Sequence, residues 1–175
     1  CQLMPCIEGM LDGHTKFEER VVLEVLGAVE YVSDCSTGLY TKPSKCKQAA
    51  EKVFEVLQHS RQQMFLSAVI EQRRYRRQTA ALRALAALCN QHSVRDRVIH
   101  LFTVPGILDL CADDNVRLRP AACNLLVNLA KSPVVQVKLM TEKSYRRLVY
   151  LLRTTLGKSR ALIDHVVCIL AQLPC

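Results

Sequence analysis

The side chains in this sequence that are best suited to chemistry are nine cysteines, five histidines and one pair of adjacent aspartates. The cysteines form no C-x-x-C pair, and no two histidines stand at a metal-ligand spacing. Cys89 and His92 lie one helical turn apart, as two zinc ligands can, but no second pair follows nearby. Asp113 and Asp114 precede a predicted helix, whose N-terminus favours negative charge. The sequence therefore predicts no catalytic or metal site, no cofactor and no enzymatic activity.

The cysteines are instead predicted to be structural. Several occupy positions that a helical pattern would bury, and a buried free cysteine behaves as a small apolar residue. Their number is odd, and the amino-terminal segment does not have the pattern of a secretory signal. These features favour a reduced, intracellular setting, either cytoplasmic or nuclear. No apolar run is long enough to span a bilayer.

The formal net charge of +8 is concentrated in arginine clusters. The segment RRYRR occupies residues 73–77, and Arg146 and Arg147 form a second group. One interpretation is a solvated face on long helices. The other is a surface for an acidic partner, a nucleic acid or an anionic membrane.

An internal repeat determines the predicted architecture. The stretches AALRALAALC, which starts at Ala80, and AACNLLVNLA, which starts at Ala121, lie 41 residues apart and share one pattern of small and large apolar residues. A unit of about 40 residues that contains only helical patterns is typical of an α-solenoid. The sequence therefore predicts an all-α fold in a single domain spanning residues 1–175.

The spacing of apolar residues predicts helices at 16–33, 45–59, 79–90, 94–101, 105–112, 121–131, 133–140, 143–155 and 160–173. A further helical pattern covers residues 63–70, and the arginines after it form either a polar break or the charged first turn of the next helix. Ser44 is predicted to cap the helix that follows it, and Ser159 the last helix. Residues 34–43 contain glycine and proline and are predicted to be a loop insertion.

The segments RYRRQTAALRALAALCNQHSVRDRVIHLFTVPGILDLCADD and NVRLRPAACNLLVNLAKSPVVQVKLMTEKSYRRLVYLLRT resemble armadillo repeats, with HEAT repeats as the near alternative. The resemblance extends from Arg74 to Thr155 and is partial elsewhere. It implies a right-handed superhelical α-solenoid of three-helix repeats. The repeats would be divided into 1–13 (the end of a preceding repeat), 15–72 (a divergent repeat with the insertion), 73–114, 115–157 and 158–175 (the first helix of a further repeat). The chain would then be a fragment of a longer protein.

The resemblance also implies a concave groove lined by the long helices. In the importin-type version, an asparagine holds the backbone of the ligand, and a tryptophan four residues earlier packs against its side chains. The asparagine position falls on Ala28, Ala87, Asn128 and Gln172, so that Asn128 keeps the amide and Gln172 is a possible substitute. The tryptophan position falls on Glu24, Arg83, Asn124 and Cys168, and no tryptophan is present.

The leading functional prediction is a non-enzymatic scaffold that binds an extended or helical segment of an acidic partner protein in this groove. Arg83, Asn124 and Asn128 are expected to share one exposed stripe. The complete set of predicted groove residues is Arg76, Arg83, Ala87, Arg119, Asn124, Asn128 and Gln172.

Two alternatives remain open at this stage. The first is binding of nucleic acid or anionic lipid through a basic face formed by Arg73, Arg74, Arg77, Arg146 and Arg147. Few aromatic residues interleave these arginines, which makes nucleic acid the weaker candidate. The second is that the chain mainly connects neighbouring repeats of its parent protein.

Overall fold

In a computed structural model, which describes residues 19–34, 43–62, 68–155 and 159–174, every regular element is a helix. No strand occurs within these ranges. The predicted all-α class is therefore confirmed for the described part of the chain. The helices are α1 (Glu19–Asp34), α2 (Pro43–Gln62), α3 (Ala68–Leu88), α4 (His92–Leu101), α5 (Val104–Cys111), α6 (Leu118–Leu129), α7 (Pro133–Leu139), α8 (Glu142–Thr155) and α9 (Arg160–Ala171).

Four of these helices pack against each other in chain order, because α1 contacts α3, α3 contacts α6, and α6 contacts α9. Other helices pack against this row: α2 packs on α3 and α4, and α5 packs on α6 and α8. The core between them consists mainly of leucine, valine and alanine, and Leu82, Leu85, Leu125 and Leu126 are fully buried. Burying one such leucine contributes about 1.5–3 kcal/mol. Buried alanines on α3 and α6, such as Ala81 and Ala122, let the two backbones approach closely.

The carbonyl groups at the C-terminal ends of α3 and α6 receive hydrogen bonds in the same way. The last carbonyl groups of a helix have no partner within the helix and must be satisfied from outside. Arg95 Nε, on α4, donates to the carbonyl oxygen of Cys89 at 3.1 Å, and Gln136 Nε2, on α7, donates to that of Ala130 at 2.9 Å. Both the donors and the acceptors stand 41 residues apart, so the sequence repeat is accompanied by a repeated helix corner.

Two turns between helices are closed by polar side chains. Thr103 Oγ1 accepts a hydrogen bond from the amide of Gly106 at 3.2 Å and caps α5. Before α6, Asn115 Oδ1 accepts from the amides of Arg117 and Leu118, and Asp113 Oδ1 accepts from the amide of Asn115. Asp113 thus has a structural role in the turn, as expected from its position before a helix.

The main difference from the predicted elements lies in α3. The sequence predicted a polar break or a first turn at residues 73–77, whereas α3 is continuous from Ala68 to Leu88. Arginine and glutamine are good helix formers, and this segment still has an inward side, because Gln78 is buried and Tyr75 packs against the core. The predicted division between residues 72 and 73 therefore falls inside a helix.

Other helix ends differ from the predicted ones by a few residues. Helix α2 begins at Pro43, so Ser44 lies in its first turn and is not the cap. Ser159 does occupy the cap position of α9, although its side chain makes no capping hydrogen bond. The predicted half-repeat at residues 1–13 and positions 35–42 of the predicted insertion lie outside the described residues. Among the helices that the structure describes, none has the length and apolar character needed to cross a membrane.

Candidate binding groove

Three adjoining hollows run along the exposed faces of α1, α3, α6 and α9. The first, of about 420 Å³, is bordered by Arg20, Leu23, Glu24 and Arg76. The second, of about 700 Å³, lies between α1, α3 and the turn before α6. The third, of about 400 Å³, extends past Pro120 and Asn124 of α6 to His165 of α9. Neighbouring hollows share lining residues, so we treat them together as one groove.

The floor of the second hollow is largely apolar. Leu23 and Gly27 come from α1, and Tyr75 and Ala80 come from α3. Val116 forms part of the rim and is 82% exposed, a large exposure for an apolar side chain. Among the described residues, a Cβ atom placed on Gly27 would meet no neighbouring atom within 4 Å, so the floor has an open notch above this glycine.

Some of the charged side chains around this floor form ion pairs within the protein, and others do not. Arg83 Nε lies 2.8 Å from Glu30 Oε1 across α3 and α1, and Arg20 Nε lies 2.9 Å from Glu24 Oε1 within α1. Arg76 and Arg117 have no ion pair with any residue that the structure describes. Arg76 borders the first and second hollows, whereas Arg117 borders the second and third. Each of these two guanidinium groups therefore stands where the second hollow meets a different neighbouring hollow.

Three of the predicted groove residues line the groove. Arg76, Arg83 and Asn124 border at least one of the hollows, and all three are exposed. The structure places Arg76 with Arg83 in the second hollow, and Arg83 with Asn124 in the third. Arg83 differs from the expectation in one respect, because its charge is compensated by Glu30 within the protein.

Asn128 does not belong to the exposed stripe that was predicted for it. Its side chain is buried, with 8% of its surface exposed. Asn128 Nδ2 donates to the carbonyl oxygen of Ala86 at 2.9 Å, and Oδ1 accepts from Lys131 Nζ at 2.8 Å. Helix α6 turns this position toward the end of α3, so the amide serves helix packing. The expectation that Asn128 faces a ligand on an exposed stripe is therefore wrong.

Three other predicted residues also lie away from the hollows. Ala87 is buried at the end of α3. The Arg119 side chain is only 17% exposed, and its Nε donates to the carbonyl oxygen of Asp113 at 2.8 Å. Gln172 is half-buried at the C-terminal end of α9. None of the three is among the residues that line the groove.

The alternative basic face is divided between α3 and α8, and part of its charge is compensated. Arg146 pairs with Glu142 on the same helix, and Arg147 pairs with Asp109 of α5. On α3, the Arg74 guanidinium lies over the Tyr75 ring, 4.7 Å from its centroid. Arg73 is exposed and Arg77 is half-buried.

The cysteines follow the structural expectation at four of the five described positions. Cys46, Cys89, Cys111 and Cys123 are buried and free, and Cys168 is exposed and free. Burial raises the pKa of Cys89 to about 12, so this thiol is a poor partner for a metal with His92, which is exposed and bonded to Asp96. No group of three potential metal ligands occurs within the described ranges.

Cys111 and Cys123 form a pair between α5 and α6. A hydrogen bond between the two thiols, together with burial, raises the pKa of Cys111 well above its usual range. The same bond lowers the pKa of Cys123, with a smaller contribution from the nearby Arg119 guanidinium. Both side chains are buried, so the pair belongs to the packing of the two helices.

Sequence reasoning missed Leu23, Gly27 and Arg117 as groove residues. Arg117 belongs to the segment RLR, which is visible as a basic cluster, but its place at the groove depends on the turn before α6. A glycine inside an otherwise regular apolar helical pattern was the available signal for Gly27. No family model matches the sequence, and a search of curated proteins finds no match either.

Proposed function

We propose that this protein is a non-enzymatic interaction module, an armadillo-like α-solenoid that binds an acidic segment of a partner protein in the groove. The contacts between α1, α3, α6 and α9 in chain order support the solenoid part of the proposal. The helix corner repeated at a spacing of 41 residues supports it as well. In a solenoid each unit contacts mainly its neighbours, and its shared face is open to a ligand.

The observation that carries the acidic preference is the pair formed by Arg76 and Arg117. Both border the apolar floor and neither has an ion pair within the described residues, whereas Arg83 is already compensated by Glu30. A guanidinium group binds a carboxylate through two parallel hydrogen bonds. A ligand that brings carboxylates to both sides of the floor would therefore complement the groove in charge.

The same lining explains why we assign binding and no reaction to the groove. Its apolar and guanidinium groups can hold and orient a ligand, and the two carboxylates that border it, Glu24 and Glu30, are held in ion pairs with Arg20 and Arg83. The buried free thiols are consistent with the proposal of an intracellular module, since reduced cysteines persist there.

A random peptide library tests this proposal without a known partner. Peptides are selected on the wild-type protein and counter-selected on a variant that carries both Arg76→Glu and Arg117→Glu. We expect the retained peptides to be enriched in aspartate and glutamate. Each single reversal should weaken a retained peptide by about tenfold, because an attractive charge becomes repulsive. Neutral or basic retained peptides would contradict the proposal.

The matched control is Arg153→Glu, which changes the net charge equally on an exposed part of α8 away from the three hollows. It should leave affinity within about twofold, since exposed charges are screened beyond a Debye length. If Arg153→Glu weakens binding as much as the groove variants do, general attraction explains the result and the groove is rejected. The basic face would be favoured instead by binding of DNA, RNA or anionic vesicles that depends steeply on salt. Such binding should be removed by Arg73→Glu and Arg77→Glu and not by the groove variants.

A further inference from the structure

The glycine in α1 indicates a property of the ligand that the charged side chains do not reveal. Gly27 lies in the interior of a regular helix, where glycine is less favourable than alanine, and its helical conformation does not require glycine. Space does not require it either, because a Cβ atom would meet no atom within 4 Å in the part of the chain that the structure describes. Neither backbone conformation nor packing within the described residues explains this residue. Close approach of another molecule to the helix backbone would explain it.

The surroundings of Gly27 define what such a molecule would bring. Leu23 lies one turn earlier on the same helix, and Ala80 and Tyr75 of α3 line the same hollow. Val116 adds an exposed apolar side chain at the rim. A bulky apolar side chain placed in this notch would remove these surfaces from water, which is favourable in proportion to the buried area.

The positions of the charged groove residues indicate where along the ligand this apolar side chain would lie. Arg76 lies where the second hollow meets the first, and Arg117 lies where the second hollow meets the third. A ligand segment that crosses the floor would thus meet one guanidinium group before the notch and one after it. Glu24 and Glu30 are held by Arg20 and Arg83, so their negative charges are partly compensated.

We infer that the groove recognises an acidic segment with one bulky apolar side chain between its carboxylates, and that this side chain occupies the notch above Gly27. This inference rests on the proposed function and specifies its ligand. Carboxylates on either side pair with Arg76 and Arg117. The absence of a side chain at Gly27 is the specificity determinant for the apolar residue.

The test combines two labelled peptides with variants of Gly27. The probes are fluorescein-labelled peptides with glutamates on both sides of a central leucine or of a central alanine. In the wild-type protein we expect the leucine peptide to bind about tenfold more tightly than the alanine peptide. Gly27→Leu fills the notch and should remove this preference, leaving the alanine peptide nearly unchanged. Gly27→Ala should give an intermediate loss.

Thermal unfolding of the same variants shows whether a loss of binding has another cause. Both substitutions replace glycine by a better helix former, and we expect Gly27→Ala to raise the melting temperature by about 3 °C. A variant that is more stable and yet binds the leucine peptide less tightly has lost the notch and has kept the fold. Should Gly27→Leu fail to fold, Gly27→Ala provides the same comparison.

The outcomes separate this inference from the proposed function. If Arg76→Glu and Arg117→Glu weaken both peptides while the Gly27 variants change neither, the acidic groove stands and the apolar notch is rejected. Equal losses for the leucine and alanine peptides in Gly27→Leu also reject the notch. If none of these variants changes binding of either peptide, both the notch and the proposed groove are rejected.

Discussion

Asn128 Nδ2 donates a hydrogen bond to the carbonyl oxygen of Ala86 at 2.9 Å, and thereby links α6 to the last turn of α3. The backbone amides beyond α3 do not use this carbonyl: the amide of Cys89 bonds to Leu85, that of Asn90 to Ala87, and that of Gln91 to Leu88. Asn128 thus supplies the donor that the end of the helix lacks. Its buried position makes this bond important for stability.

Replacing Asn128 by alanine should destabilise the protein by about 1–3 kcal/mol, because a buried carbonyl group then loses its donor. Urea unfolding followed by circular dichroism measures this change in the free energy of unfolding. The control is Asn124→Ala, one turn earlier on the same helix but exposed. It should change stability by no more than about 0.5 kcal/mol. Equal effects of the two substitutions would show that the bond to Ala86 is unimportant.

The corner after α3 provides a second stability prediction. Arg95 is buried, and its guanidinium donates to the carbonyl oxygens of Cys89 and Asn90. Arg95→Met keeps much of the side-chain volume but removes these donors, and it should cost about 2 kcal/mol, since hydrogen bonds from charged groups are among the stronger ones. Differential scanning calorimetry can follow this loss.

Arg97→Met is the comparison for Arg95→Met. Arg97 lies two residues later on α4 and pairs with Glu51 of α2, with both side chains partly exposed. An exposed ion pair contributes at most about 1 kcal/mol. A loss in Arg97→Met that equals or exceeds the loss in Arg95→Met would mean that the helix corner contributes little.

The helical elements could be predicted from sequence because their signal is local. Apolar residues at helical spacing place α4 to α8 to within a few residues, and Pro105 and Pro133 mark helix starts where their missing amides are tolerated. The continuity of α3 was harder to predict. Four arginines around Tyr75 look like a break in an apolar pattern, but only Arg73 and Arg76 are exposed, whereas Arg74 and Arg77 are half-buried and Tyr75 packs against the core.

The site was only partly predictable, because its decisive contacts join residues far apart in sequence. Glu30 and Arg83 are separated by 53 positions, so sequence alone does not show that the arginine is compensated. Asn128 was assigned to the groove by analogy with the resembled family, yet the rotation of α6 against α3 decides where its amide points. Gly27 and Arg117 become neighbours of the same hollow only after α1, α3 and the turn before α6 are packed.

The cysteines provide a prediction about reactivity. Under native conditions at about pH 8, Cys168 should be alkylated by iodoacetamide well before Cys89, as located by mass spectrometry of the digested protein. Cys168 is exposed, whereas Cys89 is buried and has a pKa of about 12. Only roughly one Cys89 thiol in ten thousand would then be ionised at that pH, and the thiolate is the reactive form.

Unfolding provides the control for this experiment. In concentrated urea the two cysteines should react at similar rates, because the burial that raises the pKa of Cys89 is lost. Rapid native labelling of Cys89, or similar native rates for the two residues, would show that the end of α3 opens readily.

The ion pair between Arg83 and Glu30 gives a prediction about binding. Glu30→Gln removes a negative charge from the groove and leaves Arg83 without its partner, so the affinity for an acidic glutamate-rich peptide should rise about threefold to tenfold at low salt. Fluorescence anisotropy at low and high salt measures the change, and the gain should shrink at high salt because exposed charges are screened. The matched control is Glu51→Gln, which removes a carboxylate from the pair with Arg97 outside the groove and changes the net charge equally. An equal gain in both variants would trace the effect to net charge, and a weaker affinity in Glu30→Gln would show that Arg83 does not face the ligand.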